Sequence, residues 1–221
     1  MLRGRRADPR CSGSSAMTEP TSARSMWEQR FSAETYVYGT EPNEFLRTSE
    51  PTLPRGAALC LAEGEGRNAV FLAGSGREVH CVDLTESGVA KTLRLALHRG
   101  VDVHAVVADL TMHDIGSERW DVVVSIFAHM PADVRRDLHA RVVTSLRPGG
   151  VFLLEAYTPA QIGRGTGGPA LAEMTMTLAG LRTELAGLDV VHGIELEREI
   201  IEGVGHSGVG AVVQVIARKP A

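Results

Sequence analysis

The chain has 221 residues, a formal net charge of −4 and 43% hydrophobic residues. Neither value is extreme, and the length suits one domain with a substantial core. No transmembrane segment is legible, and Cys11, Cys60 and Cys81 share no paired spacing, which points to a cytoplasmic protein with reduced thiols, no disulfide and no metal site.

Met1 to Ala16 carries Arg3, Arg5, Arg6 and Arg10 among serines with one acid, a transit-peptide-like composition that lacks the apolar core of a secretory signal. Residues 1–25 read as a disordered tail and 26–219 as a single domain. Within it, residues 26–55 form an N-terminal segment that concentrates the scarce aromatics: Trp27, Phe31, Tyr36 and Tyr38. Trp27 and Phe31, four apart on a helix, suit docking on the core; Tyr36 and Tyr38 suit a pocket.

Ala57 to Ala62 is an uninterrupted apolar run, as expected of a strand covered on both faces of a parallel sheet. Glu63-Gly64-Glu65-Gly66 then turns the chain into a helix over 68–73, stopped by Gly74 and Gly76. Gly64-x-Gly66-x-x-Ala69 also fits the dinucleotide fingerprint, yet each carboxylate beside a pyrophosphate would cost about 1 to 4 kcal/mol. S-adenosylmethionine reverses that sign, because it presents a sulfonium and an ammonium. Glu63 is the better candidate for contact, whereas Glu65 is as consistent with pointing into water.

A second strand over 78–83 ends in Asp83, which lies 17 residues past Gly66 and close to the spacing of a ribose-binding carboxylate. Thr85 and Gly100 bound the next helix. A third strand over 101–109 ends in Asp109, which either accepts from the adenine amino group or serves a turn. Trp120 to Phe127 is a fourth strand. Pro131 opens a helix with Val134, Leu138, Val142 and Leu146 at every fourth position. Arg147 to Gly150 is a turn, and Val151 to Ala156 a fifth strand. Tyr157 to Pro169 is glycine-rich, read as a mobile gate or a plain surface connection. Leu171, Met174, Leu178, Leu181 and Leu185 predict one further helix, and 190–200 with 210–218 an antiparallel hairpin.

In this order and spacing the chain resembles the class I S-adenosylmethionine-dependent methyltransferases, over roughly Trp27 to Lys219. The resemblance rests on the acidic glycine turn, Val82-Asp83-Leu84, Ala108-Asp109-Leu110 and the hairpin. It implies an α/β, Rossmann-like, doubly wound sheet of seven mostly parallel strands with an antiparallel C-terminal hairpin. It also implies cofactor contacts from Glu63, Gly64, Gly66, Asn68, Asp83, Leu84, Asp109, Leu110 and Phe127. Two positions depart from the pattern: Cys60 replaces the acid often found in the first strand, and Ala62 the first glycine of the turn.

The aromatic N-terminal segment looks like the lid of the tellurite-resistance and thiopurine-type branch, whose substrates are small. That resemblance implies acceptor contacts from Tyr36, Tyr38, Glu155 and Glu202, with His129 or His206 available as a base. Ser125-Ile126-Phe127-Ala128 stands where amino-methylating nucleic-acid enzymes of the class carry Asn/Asp-Pro-Pro-aromatic, and no basic stripe is present. The expectation is methyl transfer from S-adenosylmethionine to a thiol, a metalloid or a similar soft nucleophile, by a monomer or homodimer that binds neither nucleic acid nor membrane. A nicotinamide-dependent oxidoreductase and a noncatalytic S-adenosylmethionine-binding protein are the alternatives.

Overall fold

The computed structural model describes residues 22–221. The tail expected over residues 1–25 falls outside it except for 22–25, and these are ordered: Ser22 caps helix α1 (Ala23–Phe31), its hydroxyl accepting from the Ser25 amide. The lid segment therefore begins four residues earlier than the sequence suggests. A short helix α2 (Glu44–Ser49) follows, capped by Asn43.

Five elements alternate next, namely β1 (Ala57–Leu61), α3 (Arg67–Gly74), β2 (Glu78–Asp83), α4 (Glu86–Arg99) and β3 (His104–Val107). After them come β4 (Trp120–Ile126), α5 (Ala132–Ser145), β5 (Leu146–Tyr157), α6 (Leu178–Glu184), β6 (Asp189–Glu202) and β7 (His206–Arg218). The sheet order is β3-β2-β1-β4-β5-β7-β6. The first five strands in that order pair in parallel, while β7 lies antiparallel to both β5 and β6. This is the seven-stranded, mostly parallel sheet expected from the sequence, closed by the reversed hairpin.

Strand alternation divides the core between the two faces. Leu59 and Leu61 join Val123, Leu138, Val142 and Leu154 on the side covered by α5 and α6. Ala58 and Cys60 join Leu46, Leu72, Val79 and Val122 on the side covered by α2 and α3. Cys60, the first departure from the family pattern, is fully buried beside Cys81, its neighbour on β2, and burial holds both thiols well above their usual range. Both remain free thiols.

Three expectations are corrected. β3 is shorter than the alternating pattern predicted, because this edge strand pairs over four residues before Asp109 turns the chain. β5 starts at Leu146, which pairs with Trp120, so the Arg147–Gly150 segment lies within the strand at a register shift. The helix expected from Leu171 to Leu185 is broken. Met176 donates its amide to the Tyr157 carbonyl, and α6 restarts after Thr177, whose hydroxyl accepts from Gly180. Leu171 is consequently exposed, while Leu181 and Leu185 are buried.

The turn after β1 needs its glycines for space. Gly66 has φ +97°, and a Cβ there would stand 2.6 Å from the Thr92 Cα. Positive φ costs about 1 to 3 kcal/mol for a side-chain-bearing residue, and overpacking adds about as much again. Gly66→Ala is expected to lower the urea midpoint by the equivalent of about 3 kcal/mol, and an unchanged midpoint would contradict this packing. Ala62, the second departure, also occupies the left-handed region at φ +48°, where glycine would sit without strain.

Candidate active site

Parallel strands bring their C-terminal ends to one edge, and in open α/β sheets the ligand crevice lies there, at the point where the chain reverses its direction of winding. In this chain that point is β1 beside β4. Glu63 follows β1, Asp83 ends β2, Asp109 follows β3 and Phe127 follows β4. All four acidic or aromatic candidates thus share this edge.

Asp83 organises the turn. Its Oδ2 accepts from the Gly64 amide at 2.7 Å, and its Oδ1 accepts from the Thr85 amide at 2.9 Å and hydroxyl at 2.6 Å. A carboxylate offers about four acceptor sites, so one position on Oδ2 remains. Glu63 accepts the amides of Asn68 and Ala69 on Oε1, at 2.8 and 2.9 Å, and so caps α3. Desolvation pushes its carboxyl up to about 7, against the pull of those amides and of Arg67. Asp109 is exposed; its Oδ1 accepts from the Thr111 amide and hydroxyl, which hold it below its usual range. Leu84 is half-buried and Leu110 buried at the same edge.

Glu65 does not face water. It is buried in an ion pair with Lys91 at 2.7 Å and accepts the Tyr38 amide at 3.2 Å, while Lys91 also donates to the Thr35 carbonyl. The second carboxylate of the turn therefore ties down the N-terminal segment. Glu28 does the same from α1, its carboxylate accepting the Glu86 and Ser87 amides at the start of α4. Phe31 is buried with its ring against Gly64. Asn68 presents its side-chain oxygen to the Asn43 amide at 2.9 Å, which fixes the other end of the lid segment.

The two tyrosines separate. Tyr36 turns to α4, where its hydroxyl donates to the Lys91 carbonyl at 3.0 Å, so its expected acceptor contact is corrected to an anchoring one. Tyr38 packs against His206 with ring centroids 4.5 Å apart and the planes tilted by 46°. Phe127 lies 4.6 Å from both Tyr157 and His206. Its φ of +52° is a strained conformation, one that bulky residues adopt only where the surroundings impose it. Tyr38, Phe127, Tyr157 and His206 form an aromatic box packed ring against ring, with Tyr38 contributed by the N-terminal segment.

Glu155 and Glu202 stand behind the box rather than facing an acceptor. Glu155 is fully buried and takes bonds from Asn43, Arg198 and Gln214 at 2.5 to 2.8 Å. Glu202 accepts from Asn43 and Arg198 and pairs with Arg67 at 2.6 Å. Glu155 so engaged has no spare capacity for a substrate, and its sequence assignment is corrected to a positioning role, while Glu202 is tied to three partners with only Oε2, beside Arg67, lacking a hydrogen bond. The partners Arg67, Asn43, Arg198, Gln214 and Tyr157 were assigned no function from the sequence. Only Tyr157 carried a signal, lying two residues beyond Glu155 on the same face of β5.

His129 is also corrected. Its Nδ1 meets the Met174 carbonyl at 2.9 Å and its Nε2 the Tyr157 amide at 3.2 Å, so the neutral ring donates with the first and accepts with the second. Burial lowers its pKa to about 4, leaving no lone pair or driving force for base catalysis. His206 is pushed to about 3 by burial and by the Arg67 charge. Both pKa values are depressed from 6.5, so the stability the neutral rings contribute is complete above about pH 6.5 and is lost as pH falls through 4 and 3. His129→Gln should lower stability in urea by about 1 to 3 kcal/mol and leave the shape of the methyl-transfer pH profile unchanged. Loss of an ionisation between pH 5 and 8 would restore His129 as a base.

The loop after β5 is held in place: Gln161 donates to the Thr166 hydroxyl and the Gly167 carbonyl, and Thr166 donates to the Val209 carbonyl. Among the described residues no group of His, Cys, Asp or Glu has metal-binding geometry, and no helix is long and apolar enough to cross a membrane.

A family model described as a methyltransferase domain matches residues 58–150, which include β1, the acidic turn, Asp83, Asp109 and β4. Over residues 58–150 the chain is thus similar to a methyltransferase domain, and its fold is that of S-adenosylmethionine-dependent methyltransferases. Its fold is similar to that of TehB from Haemophilus influenzae, at 18% identity over 87% of this chain and 67% of that one, with TM-score 0.66. It is similar also to N-methyltransferase NodS from Bradyrhizobium japonicum WM9 in complex with S-adenosyl-L-homocysteine, at 14% identity over 89% and 97%, with TM-score 0.67. A third relative is the structure solved for conversion of a disulfide bond into a thioacetal group during echinomycin biosynthesis, at 20% identity over 88% and 91%, with TM-score 0.69. No curated protein matches the chain.

The residues present fit the methyl donor. The turn is acidic where the donor is cationic, Asp83 keeps one acceptor site, and the space beside Gly64 and Gly66 is closed to side chains. When bound, S-adenosylmethionine supplies an electrophilic methyl group on a sulfonium. Glu63 would face that charge, and Asp83 would use its remaining acceptor site for a ribose hydroxyl.

Proposed function

We propose that the chain methylates a small acceptor through a soft nucleophilic atom, a thiol or a metalloid oxyanion. The observation that carries this reading is the aromatic box of Tyr38, Phe127, Tyr157 and His206, tied to the acidic turn where Glu65 accepts the Tyr38 amide. Aromatic faces of this kind suit a small, polarizable guest. It also offers no strong base, since His129 is engaged and His206 is a weak one at neutral pH. The acceptor therefore enters already deprotonated, or with a lone pair that needs no proton removed. Orientation then supplies most of the acceleration, for which effective molarities of about 10⁵ to 10⁸ M are known.

The test is incubation with S-adenosylmethionine carrying a deuterated methyl group and a panel of thiols and selenite, followed by mass spectrometry of the small molecules. Label should appear on a thiol or on selenium. Label confined to added RNA, DNA or protein would overturn the reading.

A further inference from the structure

Four buried polar atoms around the aromatic box make no hydrogen bond among the described residues: three donors, and Glu202 Oε2, which faces Arg67 Nη2 at 2.6 Å. Arg67, Tyr157 and His206 are 6%, 0% and 7% exposed. Arg67 Nη1, the Tyr157 hydroxyl and His206 Nδ1 are each buried without a hydrogen bond among the described residues. Leaving a buried donor unpaired costs about 1 to 3 kcal/mol, more where it is charged, and native folds tolerate few such groups. Three gathered at one place call for a ligand.

They are neighbours by construction. Glu202 sits opposite His206 in the β6–β7 register, and its carboxylate is 2.6 Å from Arg67 Nη2. The Tyr157 and His206 rings are 5.5 Å apart. A Cβ on Gly167 would stand 2.8 Å from the His206 ring and 3.2 Å from the Tyr157 hydroxyl, so only bare backbone closes over the pair.

Their chemistry is that of donors. Glu202 occupies one side of the Arg67 guanidinium, and Nη1 on the other side still offers its protons. Burial and the nearby carboxylates Glu202 and Glu155 raise the Tyr157 hydroxyl, which stays protonated. A neutral His206 can carry its proton on Nδ1. An apolar or cationic guest would leave the three donors unmet, whereas an oxyanion satisfies them together, the Glu202 Oε2 charge being met by Arg67 Nη2.

We infer that Arg67, Tyr157 and His206 form a subsite for an acid group on the methyl acceptor, either a carboxylate or the oxygens of a small oxyanion. This rests on the small-acceptor reading above. The methionine carboxylate of the donor shares the same chemistry, and the experiment separates the two sources.

Protein saturated with S-adenosylhomocysteine is titrated calorimetrically with mercaptoacetate, with 2-mercaptoethanol and with selenite. Mercaptoacetate should bind at least about tenfold tighter than 2-mercaptoethanol, one such charge-assisted bond being enough for that ratio. Tyr157→Phe, which removes a single hydroxyl, and Arg67→Gln should each erase most of the preference and leave S-adenosylhomocysteine affinity within about twofold. A fall in S-adenosylhomocysteine affinity with mercaptoacetate binding intact would assign the group to the donor and overturn the inference. Equal binding of the acid and neutral thiols would also overturn it, while labelled methyl transfer to 2-mercaptoethanol would show that the small-acceptor reading stands. Absence of methyl transfer to every small molecule would instead remove the reading beneath it.

Discussion

Asp83→Ala is expected to weaken S-adenosylhomocysteine binding by at least about 100-fold. A charge-assisted bond to a ribose hydroxyl contributes about 1.5 to 3 kcal/mol, and the carboxylate also holds the Gly64 amide and both Thr85 donors. Alanine therefore removes a ligand contact and releases the turn that shapes the site. Freed buried amides should cost a further 1 to 3 kcal/mol, roughly, in folding stability. Asp83→Asn separates the two effects. It retains one acceptor oxygen for Thr85 and turns an amide group toward Gly64, so stability should recover in part while affinity stays low. Equilibrium dialysis with labelled cofactor reads the affinity and urea unfolding the stability. Wild-type affinity in both variants would remove Asp83 from the cofactor site.

Glu63→Gln should move stability and binding in opposite directions. In the folded chain the Glu63 carboxyl titrates near 7, raised from 4.5 chiefly by desolvation. Below about pH 4.5 both folded and unfolded chains carry the proton, and the buried group costs nothing. As pH rises from 4.5 to 7 the unfolded chain sheds its proton first and the folded state loses stability, by up to about 3 kcal/mol above pH 7. Glutamine keeps an oxygen for the Asn68 and Ala69 amides and carries no charge. The variant should thus equal wild type near pH 4.5 and exceed it in urea resistance at pH 8. Its affinity for cationic S-adenosylmethionine at pH 8 should fall by about 10- to 100-fold, and the two proteins should converge toward pH 6, where wild-type Glu63 is largely protonated. Equal affinities at pH 8 would show that Glu63 does not face the donor.

Such opposition between stability and binding is expected where a fold holds a charge ready for a ligand. Glu65, two residues on, spends its charge on Lys91 and the lid. Its place beside the first glycine already favoured Glu63 for contact, but the buried pairing of Glu65 with Lys91 was not legible in the turn. The strand, glycine turn and ribose acid were legible because each is a local pattern of few residues at fixed spacing. The reversed hairpin was legible from alternation and its glycine turn, and it excludes the parallel strand order of a dehydrogenase.

What remained hidden depends on contacts between distant segments. Glu155 looked free because Asn43, Arg198 and Gln214 approach it from three other parts of the chain. His129 looked like a base because the Met174 carbonyl that meets it comes from a loop 45 residues away. Tyr36 and Tyr38 read alike in sequence, yet successive turns of the segment send one to α4 and the other over His206. Arg67 lay within the recognised motif without a role, since its partner Glu202 is in the terminal hairpin. The break in the helix expected from Leu171 to Leu185 was invisible for the same reason, as it follows from a bond to Tyr157.

The central claim is that the acidic turn after β1 and Asp83 hold S-adenosylmethionine rather than a dinucleotide. Calorimetric titration of the wild-type chain at pH 8 with S-adenosylhomocysteine and, separately, with NADH and NADPH tests it most directly. Saturable binding of one S-adenosylhomocysteine per chain, with neither nicotinamide nucleotide bound, is the predicted result. Binding of a nicotinamide nucleotide at the same site, or no binding of S-adenosylhomocysteine, would contradict it.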